Sequence, residues 1–484
     1  MNASDLQNAK NYILLNLGHS PTRDQDEACE RIVEFLYDPS SNAACVLRGY
    51  AGTGKTTLVS ALISSAKAMR LKTVLLAPTG RAAKVLSNYS HRRAFTIHKY
   101  IYLTATDPSG NVRVVREPNK HSYTLFIVDE ASMIGLSSQG LDGHSMNNLL
   151  DDLNEYVRSG NNCRLMLIGD SAQLPPVGET ESPALNSGFL QGALMLRVHE
   201  SELREVVRQK YESQILTAAT ALRARIGQLC DGEPVDMPLF AGPMGRDLVR
   251  LDACDMTDVL NREYSECSEE NVVLICRTNK RANLFNQAIR NRVLFRDGEI
   301  NAGDYLMVVR NNYHWLDADS DIGFIANGDI VEVLALRNHE ELYGFRFADA
   351  TVRFIDYPDA PTLDCKIILN TLHSESPSLT SDESRRLYDA VAEDYADLPT
   401  RAERHKAIRS NPYYNALQVK FAYALTCHKT QGGQWDTVIV EQGYLTDEML
   451  NKEYLRWLYT AITRATGKVY LLNFEDRFFG GETP

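Results

Sequence analysis

The stretch Gly49-Tyr50-Ala51-Gly52-Thr53-Gly54-Lys55-Thr56 constrains this chain more than any other. It satisfies G-x-x-x-x-G-K-[ST]. Apolar residues 43–47 run into it as a short strand, and residues 57–63 leave it as a helix, the setting in which the pattern has mechanical meaning. The glycines let backbone N–H groups turn inward around phosphate oxygens, and the helix N-terminus adds a favourable dipole. Lys55 is placed to reach the β- and γ-phosphates, and the Thr56 hydroxyl to hold Mg²⁺. The loop predicts nucleotide binding on an α/β sheet, without saying what hydrolysis drives.

Two further strands lead to acids or amides at the same sheet edge. Residues 72–77 form a buried strand that turns at Pro78-Thr79-Gly80-Arg81, and ligands in doubly wound sheets meet such strand C-termini. Residues 124–128 deliver Asp129 and Glu130. Asp129 suits Mg²⁺, and Glu130 suits orienting or deprotonating the attacking water. Residues 164–168 deliver Gly169-Asp170 and then Gln173-Leu174-Pro175-Pro176, which puts a neutral amide near a γ-phosphate and stiffens the exit. Upstream, the helix opening near residue 21 carries Gln25, whose amide suits the edge of adenine. Arg208 is a candidate to neutralise transition-state charge.

The remaining chain exceeds one domain. At 484 residues, two to four units are expected. Residues 100–105 and 112–116 alternate around Asp107-Pro108-Ser109-Gly110-Asn111 and predict a hairpin. Punctuation by Gly and Pro at 232–244 predicts a boundary, after which strands at 271–276, 419–426 and 435–440 restart an α/β unit with no phosphate loop of its own. Residues 330–355 read as β-rich, and 381–410 as charged and helical. A helix at 454–465 ends on Arg464, where a cation is ordinary.

Composition excludes several classes. There is no run of about 18 apolar residues, so no membrane span is expected. Nine cysteines without a C-x-x-C pair read as reduced thiols of a cytoplasmic protein. A net charge of −12 argues against bulk attraction to nucleic acid but allows a local basic groove.

The order of these motifs resembles superfamily 1 DNA helicases of the RecD/Dda type, the 5′-to-3′ branch. The resemblance rests on Gln25, the phosphate loop, residues 77–83, Thr96-Ile97-His98, Asp129-Glu130-Ala131-Ser132-Met133, the segment 169–178 and Val207-Arg208-Gln209. Ala326-Asn327-Gly328-Asp329, His428-Lys429-Thr430-Gln431-Gly432 and Tyr459-Thr460-Ala461-Ile462-Thr463-Arg464 complete it. It implies two RecA-like P-loop NTPase domains, with a β-hairpin insertion in the first and a β-rich (SH3-like) plus helical insertion in the second. The implied bounds are 1–240 with the hairpin at about 99–122, then 241–330 with 420–484, and an insert at 331–419.

ATP would bind between the domains, on Gln25, Gly52, Thr53, Gly54, Lys55, Thr56 and Thr57, with Mg²⁺ on Thr56 and Asp129. Lys55, Glu130, Gln173, Arg208 and Arg464 would do the chemistry, Arg464 as an arginine finger. Pro78, Thr79, Lys84, Thr96, His98, Thr426, His428 and Lys429 match the family's single-strand track. The expected partners are single-stranded DNA and single/double-strand junctions, with replication or repair proteins docking on the insert of a monomer that acts at the nucleoid. Two alternatives stay open: a translocase that strips proteins from DNA without efficient unwinding, and a DNA-binding subunit of a repair complex. The hairpin tip has no Phe or Trp, which motivates the first of these.

Overall fold

The computed structural model describes the chain except for residues 1–2, 107–111, 137–147, 208–212, 230–232, 243, 317–321, 323 and 481–484. The strands of the first half are β1 (Ala43–Gly49), β2 (Lys72–Ala77), β3 (Ala94–Thr96), β4 (Tyr102–Thr106), β5 (Val112–Arg116), β6 (Thr124–Val128), β7 (Arg164–Gly169) and β8 (Arg197–Leu203). Six of them form one sheet in the order β3-β2-β6-β7-β1-β8, every neighbouring pair parallel. Such a sheet is covered on both faces, so its central strands are continuously apolar instead of alternating. Leu47, Ile127 and Ile168 face one layer of helices, while Val46, Val128 and Leu167 face the other, all of them buried. Each such side chain contributes roughly 1.5–3 kcal/mol. This order brings the C-terminal ends of β6, β7 and β1 side by side.

The second half adds β9 (Leu248–Leu251), β10 (Val272–Cys276), β11 (Tyr305–Val308), β12 (Ile330–Leu342), β13 (Phe345–Phe354), β14 (Leu363–Ile368), β15 (Leu417–Phe421), β16 (Ala424–Thr426), β17 (Trp435–Glu441) and β18 (Ala465–Leu472). A second parallel sheet runs β16-β10-β17-β18-β9, and β11 to β15 close into a barrel. The helices Ser381–Glu393 and Arg401–Ser410 each start with a capping box and pack through Leu387, Val391 and Ile408 against Phe345 and Phe347 of the barrel.

The structure differs from the sequence reading in three places. The apolar run 419–426 is not one strand. Its first part lies in the barrel and its last part in the second sheet, with the chain changing layer at Ala422-Tyr423. Periodicity cannot show such a handover, since both halves are buried. The barrel also takes in β11, upstream of the 331–419 interval. The segment 381–410 is helical as expected, in two pieces. The N-terminus forms a helix, Ala3–Leu15, that buries Ala9 and Ile13 against the first domain. The hairpin strands β4 and β5 pair antiparallel, and the tip at 107–111 lies outside the described residues. Among the described residues no helix is long and apolar enough to cross a membrane.

Candidate functional site

The phosphate loop joins β1 to the helix Lys55–Ser65. Gly54 has φ +78, a left-handed turn that an L side chain rarely adopts, and it closes against the Gln25 amide. Lys55 Nζ donates to the Gly49 carbonyl at 3.2 Å, which folds the lysine over its own loop. Thr53 is buried and donates to Tyr50 O at 2.8 Å, whereas Thr56 and Thr57 stand exposed at the helix start. Gln25 is 0 % exposed. Its Oε1 accepts from Thr22 N in a capping box, and its Nε2 donates to Thr53 O at 3.2 Å. Both ends of the amide are therefore engaged within the protein. Gln25 acts here as a clamp on the phosphate loop, where the sequence suggested a reader of adenine.

Asp129 and Glu130 stand at the end of β6. Asp129 accepts from Tyr89 OH at 2.6 Å and from Glu130 N at 2.9 Å, and burial raises its pKa, with Glu130 next in effect. Glu130 has φ +51, a conformation costing about 1–3 kcal/mol for a non-glycine residue, and its Oε2 is buried with no partner. Strain and an unpaired carboxylate oxygen at a strand end are what a general base needs and a structural residue avoids. Gln173 is similarly buried with its Oε1 unpartnered. The exposed Thr56 hydroxyl, the Asp129 carboxylate and these two orphaned oxygens form a donor set that fits a nucleotide with Mg²⁺.

The segment after β7 is held by residues of the second domain. Asp170 accepts from Tyr459 OH at 2.7 Å and from Ala172 N at 2.9 Å, and burial raises its pKa. The same Tyr459 oxygen accepts from Ala51 N of the phosphate loop at 2.9 Å. Leu174 is gripped on both sides of its backbone: its N–H donates to Thr460 Oγ1 at 2.8 Å, and its carbonyl accepts from Gln431 Nε2 at 2.7 Å. Tyr459, Thr460 and Gln431 lie in quoted motifs, yet none was singled out from sequence. Their partners are hundreds of positions away, which local pattern does not encode.

Arg464 does not reach the phosphate loop in this conformation. It sits two residues past the helix Lys452–Ile462, not within it, and donates to Thr460 O at 3.1 Å and Gly433 O at 3.4 Å in its own domain. Arg208 lies outside the described residues.

A groove of about 430 Å³ runs between the two sheets and the barrel. It collects Pro78, Thr79, Thr96, His98, His428 and Lys429 from the sequence reading, together with Arg81 and Gln431. None of its described lining residues is an Asp or Glu, in a chain with 63 of them. Thr79 and Thr96 cap helices by accepting from Ala82 N and Lys99 N, so each hydroxyl proton remains available to a phosphate. Burial lowers the pKa of His98, His428 and Lys429. Lys84 is elsewhere: its Nζ donates to Ile355 O at 2.9 Å and pairs with Asp356 at 3.5 Å, tying the first domain to the barrel. Thr426 begins the short helix Cys427–Thr430 and does not line the groove.

Known proteins resemble the chain along most of its length. Residues 21–229 match the family described as AAA domain, and residues 421–472 match the UvrD-like helicase C-terminal domain. The ATP-dependent RecD2 DNA helicase of Deinococcus radiodurans is 25% identical over 468 residues, covering 95% of this chain and 50% of that protein. The ATP-dependent DNA helicase dda of Enterobacteria phage T4 is 27% identical over 298 residues, 60% of this chain and 62% of that protein. RecBCD enzyme subunit RecD of Mycobacterium tuberculosis is 26% identical over 464 residues, 90% of this chain and 67% of that protein. The chain thus spans about half the length of the first of these relatives. A solved structure of Pif1 helicases at forked duplex DNA matches with a TM-score of 0.49 at 17% identity, covering 96% of this chain and 95% of that one.

Proposed function

We propose that this chain, which resembles the RecD/Dda type of superfamily 1, is an ATP-driven DNA helicase that moves 5′ to 3′ along a single strand and opens duplex. The observation that carries the reading is the double grip on Leu174. Gln173, beside it, carries a buried unpaired oxygen, while Gln431, which holds the Leu174 carbonyl, lines the groove. The backbone of one residue would therefore tie occupancy of the nucleotide site to the wall of the strand track.

Lys55 and the loop amides bind the phosphates, and Lys55 leaves the Gly49 carbonyl to do so. Thr56 and Asp129 would hold Mg²⁺, which supplies neutralisation of phosphate charge. Glu130 accepts the proton of the attacking water, and Gln173 senses the γ-phosphate. Arg464 serves as the finger once domain closure frees it from Thr460 and Gly433. Thr79, Thr96, His98, His428 and Lys429 hold the strand through hydroxyl, imidazole and ammonium donors, which gives little sequence preference.

Glu130→Gln tests the assignment. It should bind ATP and single-stranded DNA normally while turning over ~100-fold or more slowly. Turnover within a few-fold of wild type would remove Glu130 from the chemistry. The hairpin tip without Phe or Trp keeps a second reading, a translocase that clears proteins from a strand. Streptavidin displacement without unwinding is its signature. The Ser381–Glu393 and Arg401–Ser410 helices on the barrel are the proposed docking face for repair or replication proteins.

A further inference from the structure

The loop Gly432-Gly433-Gln434, which leads into β17 at Trp435, lies between two guanidinium groups from different domains. From the first domain, Arg81 stacks on the Trp435 indole with its Cζ 3.8 Å from the ring centroid, and its Nη2 donates to Gln434 O at 3.3 Å. From the second, Arg464 donates through Nη1 to Gly433 O at 3.4 Å and through Nε to Thr460 O at 3.1 Å. The Arg464 carbonyl in turn accepts from Trp435 N at 3.0 Å. The packing leaves no slack. A Cβ added at Gly433 would come within 2.6 Å of the indole and 2.9 Å of Arg81 Cδ, and one at Gly432 within 2.8 Å of Ala82 Cβ. Trp435 and Arg464 are buried, whereas Arg81 lines the groove. The hydrogen-bond acceptors of both guanidinium groups are backbone carbonyls, and among the described residues neither group is ion-paired.

We propose that Arg81 is a positioning residue for Arg464: by fixing this loop it holds the arginine finger on the Gly433 carbonyl until a strand phosphate in the groove draws Arg81 away. The proposal rests on reading the groove as a strand track and Arg464 as the finger, and it names the groove residue through which the strand acts on the finger. A phosphate carries full charge and can take the guanidinium fork on two oxygens, so it binds Arg81 more strongly than a lone carbonyl does. Arg81 then gives up Gln434 O and the indole face, and the loop that carries Gly433 loses its support from the first domain. The Gly433 contact is the longer of the two that hold the Arg464 side chain, so it opens first and lets the guanidinium turn toward the γ-phosphate. Without a strand, Arg81 keeps turnover slow. With one, it permits turnover.

Steady-state ATPase of the full chain, with and without oligo-dT, tests this. Arg81→Ala should raise kcat in the absence of strand ~5-fold or more, since it removes one cation–π contact and one hydrogen bond that hold the resting arrangement. The stimulation by oligo-dT should shrink to match, and KM for ATP should stay at the wild-type value. A residue with a merely structural role would lower kcat or raise KM and would not produce a gain. Adding Arg464→Ala to Arg81→Ala should abolish the gain. A gain that survives Arg464→Ala, or an Arg81→Ala protein whose strand-free kcat is at or below wild type, overturns the proposal and leaves the strand track standing. A wild type that oligo-dT does not stimulate overturns the track itself.

Discussion

At the scale of single residues, two side chains do work that their types alone do not announce. Gln25 spends its amide on Thr22 N and Thr53 O, so it sets the shape of the phosphate loop before any nucleotide arrives. Gln25→Ala should lower stability by about 1–3 kcal/mol, the cost of leaving buried backbone groups unpaired, and should raise KM for ATP more than it lowers kcat. Thermal melts and ATPase kinetics check both. Asp329 is buried beside Gly80, with Oδ2 accepting from Ala326 N at 2.7 Å and Oδ1 unpaired. Burial pushes its pKa up to about 7. The folded state therefore takes up a proton. The stabilisation is complete below the ordinary aspartate range and is lost as pH rises through about 7. Asp329→Asn is neutral at every pH and should flatten the fall of Tm between pH 4 and about 7. An identical Tm profile in both proteins would show that the carboxyl is not titrating there. Lys55, Thr56, Asp129, Glu130 and Gln173 could be singled out in sequence because each follows closely on a strand end, whereas Gln25 was singled out on a helix start for reading adenine and its hold on the loop was not visible there. Tyr459 was not singled out, because what makes it matter is two bonds to residues far along the chain.

Among the elements, the helix Lys452–Ile462 is the link between the two domains that the geometry singles out. Its Tyr459 and Thr460 reach Ala51, Asp170 and Leu174 in the first domain, and Arg464 follows just after its end. Thr460→Val keeps the shape and removes the bond to Leu174 N. It should reduce the stimulation of ATPase by single-stranded DNA several-fold while ATP still binds, as expected for the loss of a coupling energy near 1–3 kcal/mol. Full stimulation in that variant would place the coupling elsewhere. The helix itself was expected, at 454–465. The split of 419–426 between barrel and sheet was not, because a buried strand reads the same in either layer. The two RecA-like sheets were visible as apolar runs ending in polar turns, and the barrel only as a β-rich interval whose first strand, β11, looked like part of the sheet domain.

Across the whole molecule, the distribution of charge resolves an apparent conflict. A chain of net charge −12 keeps every carboxylate out of the described lining of one groove and places Arg81 and Lys429 there, with imidazoles that burial holds mostly neutral near pH 7. An anionic backbone favours imidazolium, so affinity for single-stranded DNA should rise as pH falls below the ordinary histidine range, and His98→Gln should blunt that rise. A pH-independent affinity in wild type would remove the histidines from the contact. The barrel, tied to the first domain by Lys84, walls the groove on one side. The central claim is that ATP turnover drives this assembly 5′ to 3′ into duplex. Unwinding of 5′-tailed, 3′-tailed and blunt duplexes with ATP measures it most directly. Opening of the 5′-tailed substrate alone, abolished in Lys55→Ala, is the predicted result; opening of the 3′-tailed substrate instead would contradict it.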